Sequence, residues 1–175
     1  MKQILVHTCC APCASASVER LIADGWQPVL YFYMPNIFPF EEFEKRLFYV
    51  QKLADYFNIQ LIVGDYNHSN WLGAIKGTES APEGGARCEL CYKTLLEATS
   101  HKAQELGIPH FCTTLTISPH KNSKKIEEIG SQYKGYTHYD FKKQDGYKRS
   151  IELSKELDLY RQCYCACEFS IRKEE

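Results

Sequence analysis

No run of about 18 apolar residues, the length a membrane-spanning helix needs, occurs anywhere in the sequence. A charge excess of either sign is missing too: 21 lysines and arginines stand against 22 aspartates and glutamates, a formal net of −1. That balance excludes a protein that coats nucleic acid indiscriminately, but leaves room for a local basic face. Neither a G-x4-G-K-S/T loop nor an S-G-G-x-D-S loop is present, and nothing replaces them as a cradle for a nucleoside triphosphate, so ATP chemistry is not expected. The opening MKQILVHTCC carries no long apolar region and no cleavage site, which argues against a secretory leader. Disorder is excluded by 44% hydrophobic and 25% charged residues. A length of 175 residues suits one α/β domain over residues 1–175.

What the sequence has in excess is cysteine. There are nine, and eight fall into three tight groups: Cys9, Cys10 and Cys13 in HTCCAPC; Cys88 and Cys91 in RCELCY; Cys163, Cys165 and Cys167 in QCYCACEF. In a cytoplasmic setting, where thiols stay reduced, such groups bind metal or do redox chemistry more often than they form structural bridges. An odd total also fits a closed disulfide framework poorly. Cys112, alone inside an apolar run, reads as a small buried hydrophobe. Four thiolates suit a structural zinc or an iron–sulfur cluster. The single C-x2-C, the vicinal pair and the surplus of thiols favour a reactive iron–sulfur or redox centre over zinc.

Apolar runs and helical periodicities alternate along the chain. Strands are expected at Gln3–His7, Pro28–Tyr33, Gln60–Val63 and His110–Thr113, with a weak fifth at Tyr136–Tyr139. Helices are expected at Ala14–Ala23, Glu41–Phe57, from about Cys88 to Gly107, and at Lys121–Tyr133 and Tyr147–Leu157. This order implies right-handed crossovers and a mainly parallel sheet of about five strands with helices on both faces, a Rossmann-like three-layer sandwich. The ligand site of such a sheet lies beyond the carboxyl ends of its strands. Cys9–Cys10, Met34–Asn36, Asp65, Thr114–Ser118 and Asp140 occupy those ends. Cys9 and Cys10 leave the first strand with Cys13 one turn into the next helix, a helix start whose backbone N–H groups and dipole favour thiolate, and Cys88 and Cys91 form C-x2-C at another helix start. The loop Gly77–Arg87 reads as a flexible lid or insertion. Between Lys121 and Arg149, eight basic residues outnumber four acidic ones, an excess that could track phosphates or merely solvate a surface.

Six ordered segments, HTCCAPC, YMPNIFPFEEFEKR, RCELCY, TTLTISPHK, YDFKKQDGYKRS and LYRQCYCACEFS, resemble the cobalamin-independent epoxyqueuosine reductases of the QueH family over nearly the whole chain. The resemblance implies a HUP-type sheet and reduction of epoxyqueuosine in the anticodon loop of tRNA to queuosine. It implies a 4Fe-4S cluster on Cys9, Cys10, Cys88 and Cys91, and a redox-active pair at Cys165 and Cys167. The partners it implies are tRNA carrying epoxyqueuosine and an external electron donor, in the cytoplasm. Cys163 lies outside the family pair. Cys13, Cys167 and Asp140 are candidates for an additional mononuclear iron or a catalytic site around it. Tyr33, Asn36, Tyr92 and Tyr160 are candidates for a base-binding pocket. Two other classes stay open at this point: an iron–sulfur tRNA sulfurtransferase, which the missing ATP loop disfavours, and a zinc-stabilised RNA-binding module.

Overall fold

The computed structural model describes residues 1–172. Four strands, β1 (Lys2–His7), β2 (Trp26–Phe32), β3 (Leu61–Val63) and β4 (Phe111–Thr113), form one parallel sheet in the order β3-β2-β1-β4. The two central strands are continuous apolar runs because both faces of a parallel sheet are covered. Ile4, Leu5 and Val6 of β1 are fully buried, as are Leu30 and Phe32 of β2. In register, Leu5 sits opposite Val29 on one side and Phe111 on the other.

Six α-helices flank the sheet among the described residues: α1 (Ala11–Ala23), α2 (Phe40–Phe57), α3 (His68–Ala74), α4 (Ala86–Glu105), α5 (Ser123–Gly130) and α6 (Gly146–Glu156). In α2, Phe43, Arg46, Val50, Leu53 and Ala54 recur at three and four and are the buried face. The helix ends where Asn58 turns into the left-handed region at φ 53°. Helix α3 has no counterpart in the sequence reading, since seven residues with one buried side chain, Trp71, carry no periodicity. Asn67 starts it, its side chain accepting from the Asn70 N–H at 3.1 Å. Helix α5 is shorter than the expected Lys121–Tyr133 because Asn122 caps it, accepting from the Lys125 N–H at 3.2 Å. The expected fifth strand contributes a single parallel bridge, Phe111 to Tyr136. Beyond it the chain turns away as Thr116 Oγ1 donates to the Tyr139 carbonyl at 2.7 Å.

This strand order fixes where a site can form. The chain winds from β1 through β2 to β3 in one direction, then returns to place β4 on the other side of β1. The direction therefore reverses between β1 and β4, and a crevice opens beyond their carboxyl ends. Cys9 leaves β1 there, and Thr114 leaves β4 directly beside it. The Cys9 N–H lies 3.3 Å from Thr114 Oγ1, and its Sγ lies at the same distance from that hydroxyl.

Candidate metal centre and active site

Two thiol groups face this crevice. The ligand atoms of Cys9, Cys10 and Cys13 all lie within 4.8 Å of one another. Cys10 is the N-cap of α1 in extended backbone, and its Sγ accepts from the Cys13 N–H at 3.4 Å. Hydrogen bonds from Cys13 and Cys9 hold the Cys10 thiol well below its ordinary pKa. The same bond to Cys10 pushes Cys9 up to about 12, and Cys13 is likewise raised. Ionisation is thus favoured at Cys10 and opposed at Cys9 and Cys13, which tend to keep their protons. A soft cation replaces those protons without leaving adjacent thiolates to repel, so this donor set fits a thiophilic metal.

The second group surrounds a small recess lined by Cys88, Cys91, Cys165 and Cys167. Cys88 lies in the first turn of α4, where its Sγ accepts from the Gly84 N–H at 3.2 Å. Burial pushes both Cys88 and Cys91 up. Trp71 Nε1 and Arg87 Nε are buried without a hydrogen-bond partner, and both residues line the recess. Unsatisfied N–H donors beside clustered thiols suit the sulfur atoms of a cluster, whose properties depend on such bonds. The recess shares Cys91, Cys165, Tyr92, Asn36 and Lys121 with a cavity of about 520 Å³, which Cys9, Cys13 and Cys163 also line.

Of the residues expected at the site, Cys9, Cys13, Cys88, Cys91, Cys165, Cys167, Asn36 and Tyr92 therefore meet around one connected space, with Cys10 beside Cys9 and Cys13. Asp140 does not join them. Its carboxylate accepts from Ser123 Oγ at 3.2 Å and the Lys142 N–H at 3.1 Å, holding the loop before α6. Tyr33 stacks on Tyr31 at 5.7 Å, and Tyr160 donates to Glu42 at 2.9 Å, so neither lines the space. Cys112 is fully buried in β4, as a packing residue would be. The loop Gly77–Arg87 is pinned, since Arg87 donates to the Glu79 and Ala81 carbonyls at 3.0 and 2.6 Å. The basic stretch is partly neutralised: Arg149 is paired with Glu19, Glu152 and Glu156.

Two cations were missed as site residues. Lys121 lines both the cavity and the recess, with no carboxylate in ion-pair distance among the described residues. Burial opposes its charge, but the surrounding sulfurs, those of Cys165 and Cys9 foremost, outweigh that and raise its pKa above the ordinary lysine value. Arg46 is 1% exposed in the apolar stripe of α2. Its Nε donates to Glu42 at 2.9 Å, and its terminal nitrogens donate to the carbonyls of Cys165 at 2.5 Å and Tyr164 at 3.3 Å. An arginine at a core position of a helical period was the signal available, because such a charge is kept only where it is bonded. Arg46→Met, which leaves Glu42 without its counter-charge and two carbonyls unpartnered, is expected to lower unfolding free energy by about 3–5 kcal/mol. Urea denaturation measures this, and a loss below about 1 kcal/mol would show that the clamp does not hold.

His7 supports the β1 end of the crevice. Its Nε2 lies 3.0 Å from the Tyr33 carbonyl, which can only accept, so Nε2 carries the proton and Nδ1 accepts from Thr113 Oγ1 at 3.0 Å. Burial lowers its pKa from 6.5 to about 4. Between those values the unfolded chain binds a proton that the folded protein refuses. The associated stability is thus fully present above about pH 6.5 and declines toward pH 4, by about 3 kcal/mol in all. Urea midpoints of wild type and His7→Gln at about pH 7 and about pH 5 should show a shallower acid slope in the variant. Parallel slopes would remove His7 as the cause.

Comparison with known proteins gives a consistent result. The family model described as epoxyqueuosine reductase QueH matches residues 4–173. Proteins named epoxyqueuosine reductase QueH from Streptococcus pyogenes serotype M1 and Thermotoga maritima are 39% and 37% identical to this chain. Each alignment covers 98% of this chain, with 71% of the first protein and 91% of the second. The protein of that name from Haemophilus influenzae is 36% identical over 97% of this chain and 72% of its own length. Among solved structures, a predicted subunit of a tRNA methyltransferase from Methanocaldococcus jannaschii superimposes with a TM-score of 0.54. That match covers 87% of this chain and 75% of the other at 15% identity, a likeness of fold alone.

Proposed function

We infer from the family to which this chain belongs, the epoxyqueuosine reductases QueH, that it reduces epoxyqueuosine in the anticodon loop of tRNA to queuosine, the last step of queuosine biosynthesis. The observation that carries the reading to this site is the convergence of two thiol groups on one cavity at the sheet's switch point. Removing the epoxide oxygen breaks two C–O bonds, forms one C=C bond and releases water, taking up two electrons and two protons. Oxidation of the Cys165/Cys167 dithiol to a disulfide yields two electrons and two protons, so the pair matches the demand. An external donor must then restore the dithiol. Lys121 brings a fixed positive charge to the same space, where it offsets thiolates and can face the departing oxygen.

Cys9, Cys10, Cys88 and Cys91 would hold a 4Fe-4S cluster, and Cys13 would serve a separate iron. Support comes from the placement of Cys10 and Cys88 at the positive ends of α1 and α4 and from Cys9 and Cys91 both lining one cavity. Such a cluster, when bound, supplies electrons one at a time. Reduced thiols and a tRNA substrate are consistent with the cytoplasm; among the described residues no helix is long and apolar enough to cross a membrane. The deciding experiment is anaerobic purification with iron and acid-labile sulfide quantitation, then assay on tRNA bearing epoxyqueuosine. A coloured iron–sulfur protein that releases queuosine-bearing tRNA is expected. A colourless zinc protein that binds RNA without turnover would overturn the reading.

A further inference from the structure

We propose that the 520 Å³ cavity seats one everted nucleoside, met at its inner wall by the side-chain amides of Asn36 and Gln162 and secured at its mouth by Arg161 on a flanking phosphate. This rests on the reading that the substrate is a modified nucleoside in tRNA, and adds which residues recognise it. The volume falls within the range of about 300–1,000 Å³ usual for small-ligand sites. Asn36, in the loop beyond β2, is 3% exposed, and its Oδ1 has no hydrogen-bond partner. Gln162 Oε1 is buried and unpartnered in the same way, and both residues line the cavity. A buried carbonyl without a donor is costly and uncommon, and two lining one cavity call for a ligand that supplies donors.

The protein's own hydroxyls there do not supply them. Ser150 donates to the Tyr147 carbonyl at 2.6 Å and Ser170 to the Cys167 carbonyl at 2.7 Å. A nucleoside turned out of a single-stranded loop offers what is lacking, N–H groups on its base edge and O–H groups on its ring substituents.

Charge at the mouth selects the same ligand. Lys121, Arg161 and Arg172 line the cavity against one carboxylate, Glu83. The Arg161 guanidinium touches only neutral groups, Ser154 Oγ at 3.3 Å and Tyr147 OH at 3.5 Å, and lies 5.8 Å from the Tyr147 ring. It has no carboxylate in ion-pair distance among the described residues, unlike Arg149. The half-exposed Tyr147 ring beside it offers a stacking surface for a neighbouring base. Arg161 thus stands ready for a flanking phosphate, beside Lys121 of the 121–149 stretch.

The test is equilibrium binding of the loaded enzyme to anticodon stem-loop RNAs carrying either epoxyqueuosine or an abasic site at the same position. Wild type should prefer the modified RNA. Asn36→Leu and Gln162→Leu should each reduce that preference about tenfold while binding the abasic RNA as wild type does. Arg161→Gln should weaken both RNAs equally and lower the salt slope by about 0.7. If Asn36→Leu fails to fold, Asn36→Ser makes the same comparison. A wild type that discriminates and turns over, with amide variants that discriminate equally well or an Arg161→Gln slope unchanged, would overturn the inference alone. A wild type that neither discriminates nor deoxygenates would overturn the substrate reading and this inference with it.

Discussion

Cys10→Ser protein, purified without oxygen, is expected to carry almost none of the iron and acid-labile sulfide of the wild type, and Cys88→Ser and Cys91→Ser the same. The expectation follows from the charge on the thiols. Cys10 is the thiol of its group whose ionisation is favoured, by hydrogen bonds from Cys13 and Cys9 and by the N–H at the start of α1. A serine there keeps the cap, since its hydroxyl accepts the same bond. It removes the soft anionic donor, because a hydroxyl does not ionise in this range and binds iron poorly. Stability should therefore change little while metal content collapses, a separation that a packing role would not produce. Cys112→Ala is the control. Its sulfur lies within β4 away from both thiol groups, so the variant should lose about 1 kcal/mol of stability and no iron. Retention of the wild-type iron and sulfide content by Cys10→Ser, Cys88→Ser and Cys91→Ser would overturn the ligand set.

Much of this site was legible in the sequence, for a physical reason. Parallel strands buried on both faces are unbroken apolar runs, and a residue following such a run must lie at the carboxyl edge of the sheet. Cys9, Asn36 and Thr114 could be placed on that edge without coordinates. Cys88 and Cys91 could be put at a helix start from the glycines before them. What was not legible depends on tertiary approach. Nothing local distinguishes Lys121, which faces thiols, from Lys142 and Lys143, so all were counted as one basic stretch. Asp140 stood at a strand end like the others, yet its neighbours Ser123 and Lys142 draw the carboxylate into a loop. The segment 158–167 has neither period nor regular structure, and its position depends on contacts more than a hundred residues away. Arg46 holds two of its carbonyls, Phe38 N–H donates to Ala166 O at 2.9 Å, and Tyr164 OH donates to Phe38 O at 2.6 Å.

That anchoring bears on the second large effect. The double variant Cys165→Ser, Cys167→Ser is expected to retain its iron and sulfide yet complete no more than one turnover. The backbone around the pair is fixed on both sides: Cys165 O by Arg46, Cys167 O by Ser170 Oγ at 2.7 Å, and Ala166 on both its polar groups. Serine leaves all of these bonds in place, so the loop should stay where it is. What the variant loses is the capacity to form a bond between the two sulfurs and to release two electrons and two protons in doing so. A loaded, reduced cluster and the separate iron would supply one electron each, enough with two protons from solvent for one substrate at most, but the two-electron store that completes each later cycle is gone. The geometry also presents a rival. Cys165 and Cys167 line the recess with Cys88 and Cys91, and four thiols around one recess would serve as the ligands themselves. The two arrangements predict opposite metal contents in one protein. If the variant keeps its iron and sulfide but stops after a first turnover, the pair is the electron store. If it is purified without iron, Cys165 and Cys167 are ligands and Cys9 or Cys10 is released from that role. If it turns over as the wild type does, the pair has no part in the reaction, and the two electrons reach the epoxide without it.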